Sequence, residues 1–400
     1  TTRLVGSEMC IRDSNKDLKI ASARMNELAA LKRIDFANMF PQATARLNGN
    51  RETTNYGGDN FDADPELSLT ASISWELDLW GNLRWARDHS TAGFLASVEN
   101  CRAVKMGLVA QVAQSYFELM ALDNELAIVR RTLEARREGV RLAEIRFKGG
   151  LTSEIVFQQA KVELAKTATM VPDLERRISL KESEIALLTG DFPYAVNRNV
   201  LPEEIQLPDA LPLGLPSTLL ERRPDIRKAE RELMAAHAEV GLAYTNMFPR
   251  LALTATLGAE SETLRDLLKS PYSYLAGNLL SPLFAMGKNR AALKAKRAAY
   301  EGAVAEYEKT VLTAFKETHN AIINFNKIKD IYESRRQLAE ASRTAVELAQ
   351  LQYINGVIGY LDLLDAQRNY FDAQVSLSNA VCDKQLMIIN LYKALGGGWK

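Results

Sequence analysis

The sequence predicts an α+β fold made of two structural repeats, each contributing two β-strands and a long α-helical hairpin. Three observations support this prediction. The chain repeats itself at a fixed offset, its clearest strand candidate alternates with period two, and two long helical segments contain no proline.

The repeat is visible when the chain is shifted by 206 residues, because glycines, alanines and arginines then coincide without a gap. The matched pairs include Gly81 with Gly287, Gly150 with Gly356 and Gly190 with Gly396. We expect a first repeat at 15–200, a Pro-rich linker at 201–216 and a second repeat at 217–400. Charged residues interrupt any signal-peptide core at 1–14, so we interpret these residues as an expression or assembly scar.

The strand prediction rests on alternation. From 67 to 79 every odd position is apolar and every even position is polar, which is typical of a two-faced strand. The four predicted strands cover about 43–54, 67–79, 250–259 and 272–283.

The helical hairpins are predicted at about 83–190 and 289–396. Each begins with about 65 residues of helical spacing, long enough to span on the order of 100 Å. Each then meets a glycine turn, at 149–150 or 355–356, before a second helix returns. No compact domain requires helices of this length.

Composition excludes several classes of function. Lys plus Arg and Asp plus Glu both number 50, so no net field favours a nucleic-acid partner. The cysteines and histidines lack metal-ligand spacing, and no nucleotide-binding or nucleophile motif is present. We therefore predict no metal, no cofactor and no enzymatic activity.

The alternating strand indicates a membrane protein. No run of about 18 apolar residues exists, so strands would have to cross the bilayer. Four strands cannot close a barrel, whereas three chains would supply twelve and leave a pore. The aromatic residues suited to an interfacial girdle are Trp75, Trp80, Tyr272 and Tyr274.

Four blocks carry a family resemblance. They are GLPSTLLERRPDIRKAERELMAAHAEVGLAYTNMFPRLALTATLG at 214–258, SWELDLWGNLR at 74–84, YLDLLDAQRNYFDAQ at 360–374 and LYKALGGGW at 391–399. Taken in chain order, they resemble the TolC-like outer-membrane efflux proteins, in the lipoprotein branch that includes OprM and NodT. The resemblance extends from about residue 15 to the end.

The resemblance implies a homotrimer in the outer membrane of a Gram-negative bacterium, with a twelve-stranded β-barrel and a periplasmic α-helical barrel. It implies an exit duct that passively conducts small molecules such as drugs. The implied partners are a periplasmic adaptor (membrane fusion) protein, an inner-membrane pump of the resistance-nodulation-division class and outer-membrane lipid. Members of the branch usually carry a signal peptide and a lipidated cysteine.

The resemblance also implies two functional regions. The adaptor-docking residues are Gly150, Leu151, Thr152, Ser153, Gly356 and Val357. The periplasmic gate and selectivity residues are Asp362, Asp365 and Tyr353, and threefold repetition would place six carboxylates in one ring. A plain helix end could also explain the glycines, and a helix N-terminus could explain Asp362.

Two alternatives remain open at the level of sequence. Within transport, the duct could serve type I protein secretion or metal-ion export. In a different class, a soluble coiled-coil scaffold would show the same long helices, although the alternating strand at 67–79 argues against it.

Overall fold

A computed structural model describes residues 14–54, 62–198, 221–282 and 284–397 of the chain. The predicted linker at 201–216 and nearly all of the segment at 1–14 lie outside these described residues. The elements in chain order are α1 (Lys16–Ala37), β1 (Gln42–Thr54), β2 (Asp62–Leu77), α2 (Asn82–Lys148), α3 (Glu154–Thr189), α4 (Pro224–Thr245), β3 (Arg250–Ser261), β4 (Pro271–Leu280), α5 (Lys288–Ile354) and α6 (Tyr360–Ala394).

The described residues fall into two compact units, and each unit takes residues from both sequence repeats. A helical unit contains 14–21, 101–198, 221–224 and 311–397. A sheet unit contains 22–100, 225–282 and 284–310. The repeats are therefore units of sequence, and neither repeat folds as a separate compact body.

The sheet unit holds one antiparallel sheet in the order β1-β2-β3-β4. The β2–β3 pair joins the two repeats, with Leu67 opposite Ser261 and Leu77 opposite Leu251. Strands β1 and β4 form the two edges, so one side of each has no strand partner within the described chain.

Four strand boundaries differ by two residues or more from those predicted: β2 begins at Asp62, β3 ends at Ser261, and β2 and β4 end earlier than expected. Strand β2 ends at Leu77, because Asp78 turns the chain and accepts the backbone N–H groups of Leu83 (3.0 Å) and Arg84 (3.1 Å). Strand β4 ends at Leu280, shortly before Pro282, which has no N–H to donate to a ladder.

The helical unit is built from two hairpins. Helices α2 and α3 pack through a hydrophobic cluster in which Leu119 and Val129 are fully buried and Leu174 is 2% exposed. Helices α5 and α6 pack through a smaller cluster around Leu391 and Ala394. Burial against residues distant in the sequence stabilises these helices, because an isolated helix is only marginally stable in water.

The Arg-Arg-Pro-Asp stretch at 222–225 begins α4 at Pro224. Arg223 is 5% exposed and donates to the carbonyl of Ala394 (3.2 Å) and to Glu317 Oε2 (2.6 Å). Arg223 therefore connects the segment just before α4 to helices α5 and α6 of the second hairpin, and it is not placed to bind a ligand.

Among the described helices, none combines enough length and hydropathy to cross a membrane.

Candidate functional site

The turns between the helices of each hairpin are built in the same way. We call residues 149–153 the first tip and residues 355–359 the second tip. Gly150 and Gly356 have φ values of +73° and +74°, which favour glycine. In both tips the following N–H bonds back five residues, from Leu151 to the carbonyl of Arg146 (2.8 Å) and from Val357 to the carbonyl of Gln352 (2.9 Å). These are Schellman helix ends, so the glycines have a structural role whatever the tips bind.

Both tips also present an apolar side chain to solvent. Leu151 is 73% exposed and Val357 is 71% exposed. Thr152 differs, because its hydroxyl is buried without a hydrogen-bond partner. Ser153 precedes α3 in an extended conformation and makes no side-chain capping bond. Leu151 and Val357 are therefore apolar side chains that the two tips present to solvent.

The two aspartates past the second tip lie on the exposed side of α6, opposite the buried Leu363 and Leu364. Asp362 Oδ2 accepts the backbone N–H of Gly359 at 3.0 Å, so this carboxylate caps the helix as well. Asp365 Oδ2 accepts only the side-chain amide of Asn369, at 3.1 Å, among the bonds described. Their spacing of three residues places both charges on one helical face, as predicted.

Tyr353 is not exposed beside these aspartates. It is 6% exposed, and the Arg146 guanidinium carbon lies 4.7 Å from its ring centroid. The Tyr360 ring packs edge-on at 5.8 Å. Arg146 belongs to the first hairpin, so in this conformation Tyr353 is a contact between hairpins. The family resemblance grouped Tyr353 with the gate and selectivity residues, and that role stays a prediction.

A buried ion cluster also joins the hairpins. The Glu163 side chain is 5% exposed and accepts from Arg136 Nη1 at 2.8 Å, within the first hairpin. Its other oxygen accepts from Arg368 Nη2, on α6 of the second hairpin. The Arg368 hydrogen bond holds the pKa of Glu163 below its ordinary value, and the charge of Arg136 acts in the same direction against burial.

Sequence reasoning missed this cluster. Glu163 and Arg368 are 205 residues apart, and each stands among many charges typical of a solvated helix. The available sequence signal is weak: Ala160 and Thr167, on the same face of α3 as Glu163, are small or weakly polar residues. The structure shows that both are 2% exposed.

The sheet has two chemically distinct faces, because directly paired residues of antiparallel strands point to the same side. The apolar face includes Ala43, Ala45, Leu47, Leu69, Ala71, Ile73, Trp75, Leu251, Leu253, Ala255, Leu257, Leu275 and Leu279. The polar face includes Thr44, Asn48, Ser68, Thr70, Ser72, Ser74, Thr254, Thr256, Tyr272, Tyr274 and Asn278. Hydroxyls of Ser72 and Thr256 meet at 2.9 Å, which places both on that polar side.

The register separates the four predicted girdle residues. Trp75 lies on the apolar face, opposite Leu253. Tyr272 and Tyr274 pair with Gly258 and Thr256, so both lie on the polar face. This placement does not fit a lipid-facing girdle. The strand at 271–280 has no clean alternation, and sequence alone therefore could not assign its faces.

Trp75 and Trp80 also make specific bonds at the helix–strand junctions. The Trp75 indole N–H donates to the carbonyl of Met39 (3.1 Å), and that of Trp80 donates to the carbonyl of Pro249 (2.8 Å). Both acceptors belong to the tetrapeptide Asn-Met-Phe-Pro, which occurs at 38–41 and 246–249. The repeated tetrapeptide thus marks the same junction in each repeat.

Comparisons with known proteins agree with this architecture. The family model described as outer membrane efflux protein matches residues 11–191 and 215–397. The solvent efflux pump outer membrane protein SrpC of Pseudomonas putida is 33% identical over 97% of this chain and 83% of its own length. The outer membrane protein OprJ of Pseudomonas aeruginosa is 32% identical over 97% of this chain and 82% of its own length.

A solved structure of the outer-membrane channel OprN superposes with a TM-score of 0.91 at 29% identity, covering 100% of this chain and 91% of that chain. The family suggested by the four sequence blocks is thereby confirmed, and so is the α+β TolC-like fold. Members of this family are outer-membrane channels. The chain belongs to the outer membrane efflux protein family and is an outer-membrane efflux channel protein.

Proposed function

We propose that three copies of this chain close into a passive exit duct for small molecules. The observation that carries the proposal is the four-stranded sheet with one apolar face, one polar face and two edge strands. In a bilayer an unpaired edge is costly, so β4 of one copy must pair with β1 of the next. Four antiparallel strands leave β4 antiparallel to the next β1, and twelve strands close with the polar face inside.

The duct performs no chemistry and needs partners that supply energy. We propose a periplasmic adaptor that contacts the two tips and an inner-membrane pump of the resistance-nodulation-division class. SrpC is named as part of a solvent efflux pump, which supports small organic molecules as cargo. On the lipid side, Trp75 and Trp80 are the two aromatic residues suited to the interface nearest the helices.

The exposed carboxylates of Asp362 and Asp365 support a cation-selective ring at the periplasmic end of the duct. Replacing both by asparagine keeps side-chain volume and removes six charges from a trimer. We expect the cation-to-anion permeability ratio to fall by about five-fold, because the charges would concentrate cations at a narrow opening. Reversal potentials in planar bilayers under a salt gradient measure this ratio.

A matched control is Asp173→Asn, which removes an exposed carboxylate paired with Arg176 on α3. This variant should keep the wild-type ratio. If the double asparagine variant also keeps it, the aspartates do not form the selectivity ring.

The exposed apolar side chains support docking at the tips. We expect Leu151→Glu combined with Val357→Glu to reduce efflux by about ten-fold or more, because a charge at the centre of an apolar contact must be desolvated. Cellular accumulation of a fluorescent pump substrate measures efflux. The trimer itself should remain, since both side chains are about three-quarters exposed.

Phe192→Glu provides the control, because Phe192 is 93% exposed and follows the opposite end of α3. Normal efflux by the tip variant, with a normal amount of trimer in the outer membrane, would rule out docking through these side chains.

A further inference from the structure

The polar face of the sheet carries two tyrosines that the duct proposal alone does not use. Tyr272 and Tyr274 lie at the start of β4, the end of that strand remote from α5. They are opposite Gly258 and Thr256, on the side that bears the hydroxyl pair of Ser72 and Thr256.

Atomic contacts fix the side of the sheet on which Tyr272 lies. A Cβ added to Gly258 would come within 2.4 Å of the Tyr272 ring, so the ring lies directly over this glycine. The glycine leaves room for a flat aromatic surface on the polar face. Tyr272 remains 40% exposed and Tyr274 59% exposed, so packing within the chain leaves part of each side chain accessible.

Acidic side chains accompany the rings. Glu260 follows Gly258 by two residues on β3 and is exposed on the same face, diagonal to Tyr272. Glu66, on β2 opposite Asn50, shares that face and is also exposed. Arg46 is on the same face of β1, three strands from β4 within one copy, and the proposed closure brings β1 of the next copy beside β4. Within one copy, the surface next to the tyrosines thus combines aromatic rings with the carboxylate of Glu260.

We infer that Tyr272 and Tyr274 form an aromatic contact site on the water-filled surface of the duct, and that this site selects planar or aromatic organic cations. Rings of this kind attract cations through their faces and stack on aromatic cargo, and Glu260 adds a favourable charge. Three copies would place six tyrosines around the distal part of the conduit. The inference rests on the proposed barrel, because only closure turns the polar face inward.

The first test establishes which way the residues face. Single cysteines are placed at 272, 273, 274 and 275 in a full-length chain whose own cysteines are replaced by serine. The purified protein is reconstituted in liposomes and treated with a membrane-impermeant thiol reagent. Labelling at 272 and 274 with protection at 273 and 275 is the expected result. The reverse pattern would overturn the inference and the inward polar face of the barrel, and equal labelling at all four positions would overturn the barrel itself.

The second test measures contact with cargo. Tetraphenylphosphonium should block single channels transiently, and Tyr272→Ser with Tyr274→Ser should shorten the blocked time by about five-fold. The matched double variant Tyr272→Phe with Tyr274→Phe keeps both rings and should keep the wild-type blocked time. Tetrabutylammonium, a cation without rings, should show a smaller difference between these variants. Equal blocked times for the serine and phenylalanine variants would overturn the contact site.

Discussion

Replacing Glu163 by glutamine is expected to lower the free energy of unfolding by about 3–5 kcal/mol, the usual cost of removing one partner from a buried ion pair. Arg136, whose side chain is 10% exposed, would lose its only carboxylate partner among the described contacts. The same change releases Arg368, so the two hairpins lose a direct link. Denaturant unfolding of the detergent-solubilised protein, followed by helical circular dichroism, measures the loss.

Glu134→Gln is the matched control. Glu134 is also on a hairpin helix and pairs with Arg137, but both side chains are more than half exposed. An exposed pair contributes about 0–1 kcal/mol. Equal losses for the two variants would show that the Glu163 cluster does not hold the hairpins together.

The Glu163 carboxylate should also make the stability of the protein depend on pH. The pKa of Glu163 is lowered in the folded protein, first by the Arg368 hydrogen bond, relative to an ordinary value of 4.5. Its stabilisation is therefore present above pH 4.5 and is lost as the pH falls through the lower folded-state pKa. We expect the stability difference between wild type and Glu163→Gln to shrink below pH 4.5, measured by the same unfolding experiment.

The second large effect concerns the two faces of the sheet. Leu257→Lys is expected to prevent recovery of the protein from the outer membrane, because a lysine facing lipid near the bilayer centre costs about 2–4 kcal/mol per copy. Leu257 is 68% exposed on the apolar face, near the middle of β3. The amount of protein in washed outer-membrane fractions measures the effect.

Thr256→Lys is the control one residue away. Thr256 lies on the polar face, so the new charge would remain in water, although the hydroxyl contact with Ser72 is lost. We expect near-normal recovery. Similar behaviour of the two lysine variants would contradict the assignment of the faces.

Local sequence patterns predicted much of the fold. Alternation at 67–79 is strong because one face of β2 is uniformly apolar, and proline-free segments ending in Gly150 or Gly356 determine where helices turn. The boundaries of these elements were harder to predict, because the end of β2 at Leu77 depends on hydrogen bonds to the Asp78 side chain.

The site was only partly predictable, because its remaining parts depend on contacts between distant residues. The Glu163–Arg368 pair spans two repeats, and the burial of Tyr353 requires Arg146 from the other hairpin. The face on which Tyr272 lies follows from pairing with Gly258. Pairing register is a tertiary property, and a shift of one residue would move every side chain to the other face.

Single-channel recording tests the central claim most directly. The protein would be expressed with a signal sequence, purified from outer membranes and added to a planar bilayer. Each insertion of a conducting duct should raise the current by a discrete step of one size, and the channel should prefer cations. If protein with a trimeric mass in detergent inserts without conducting ions, the chain does not form the proposed open conduit.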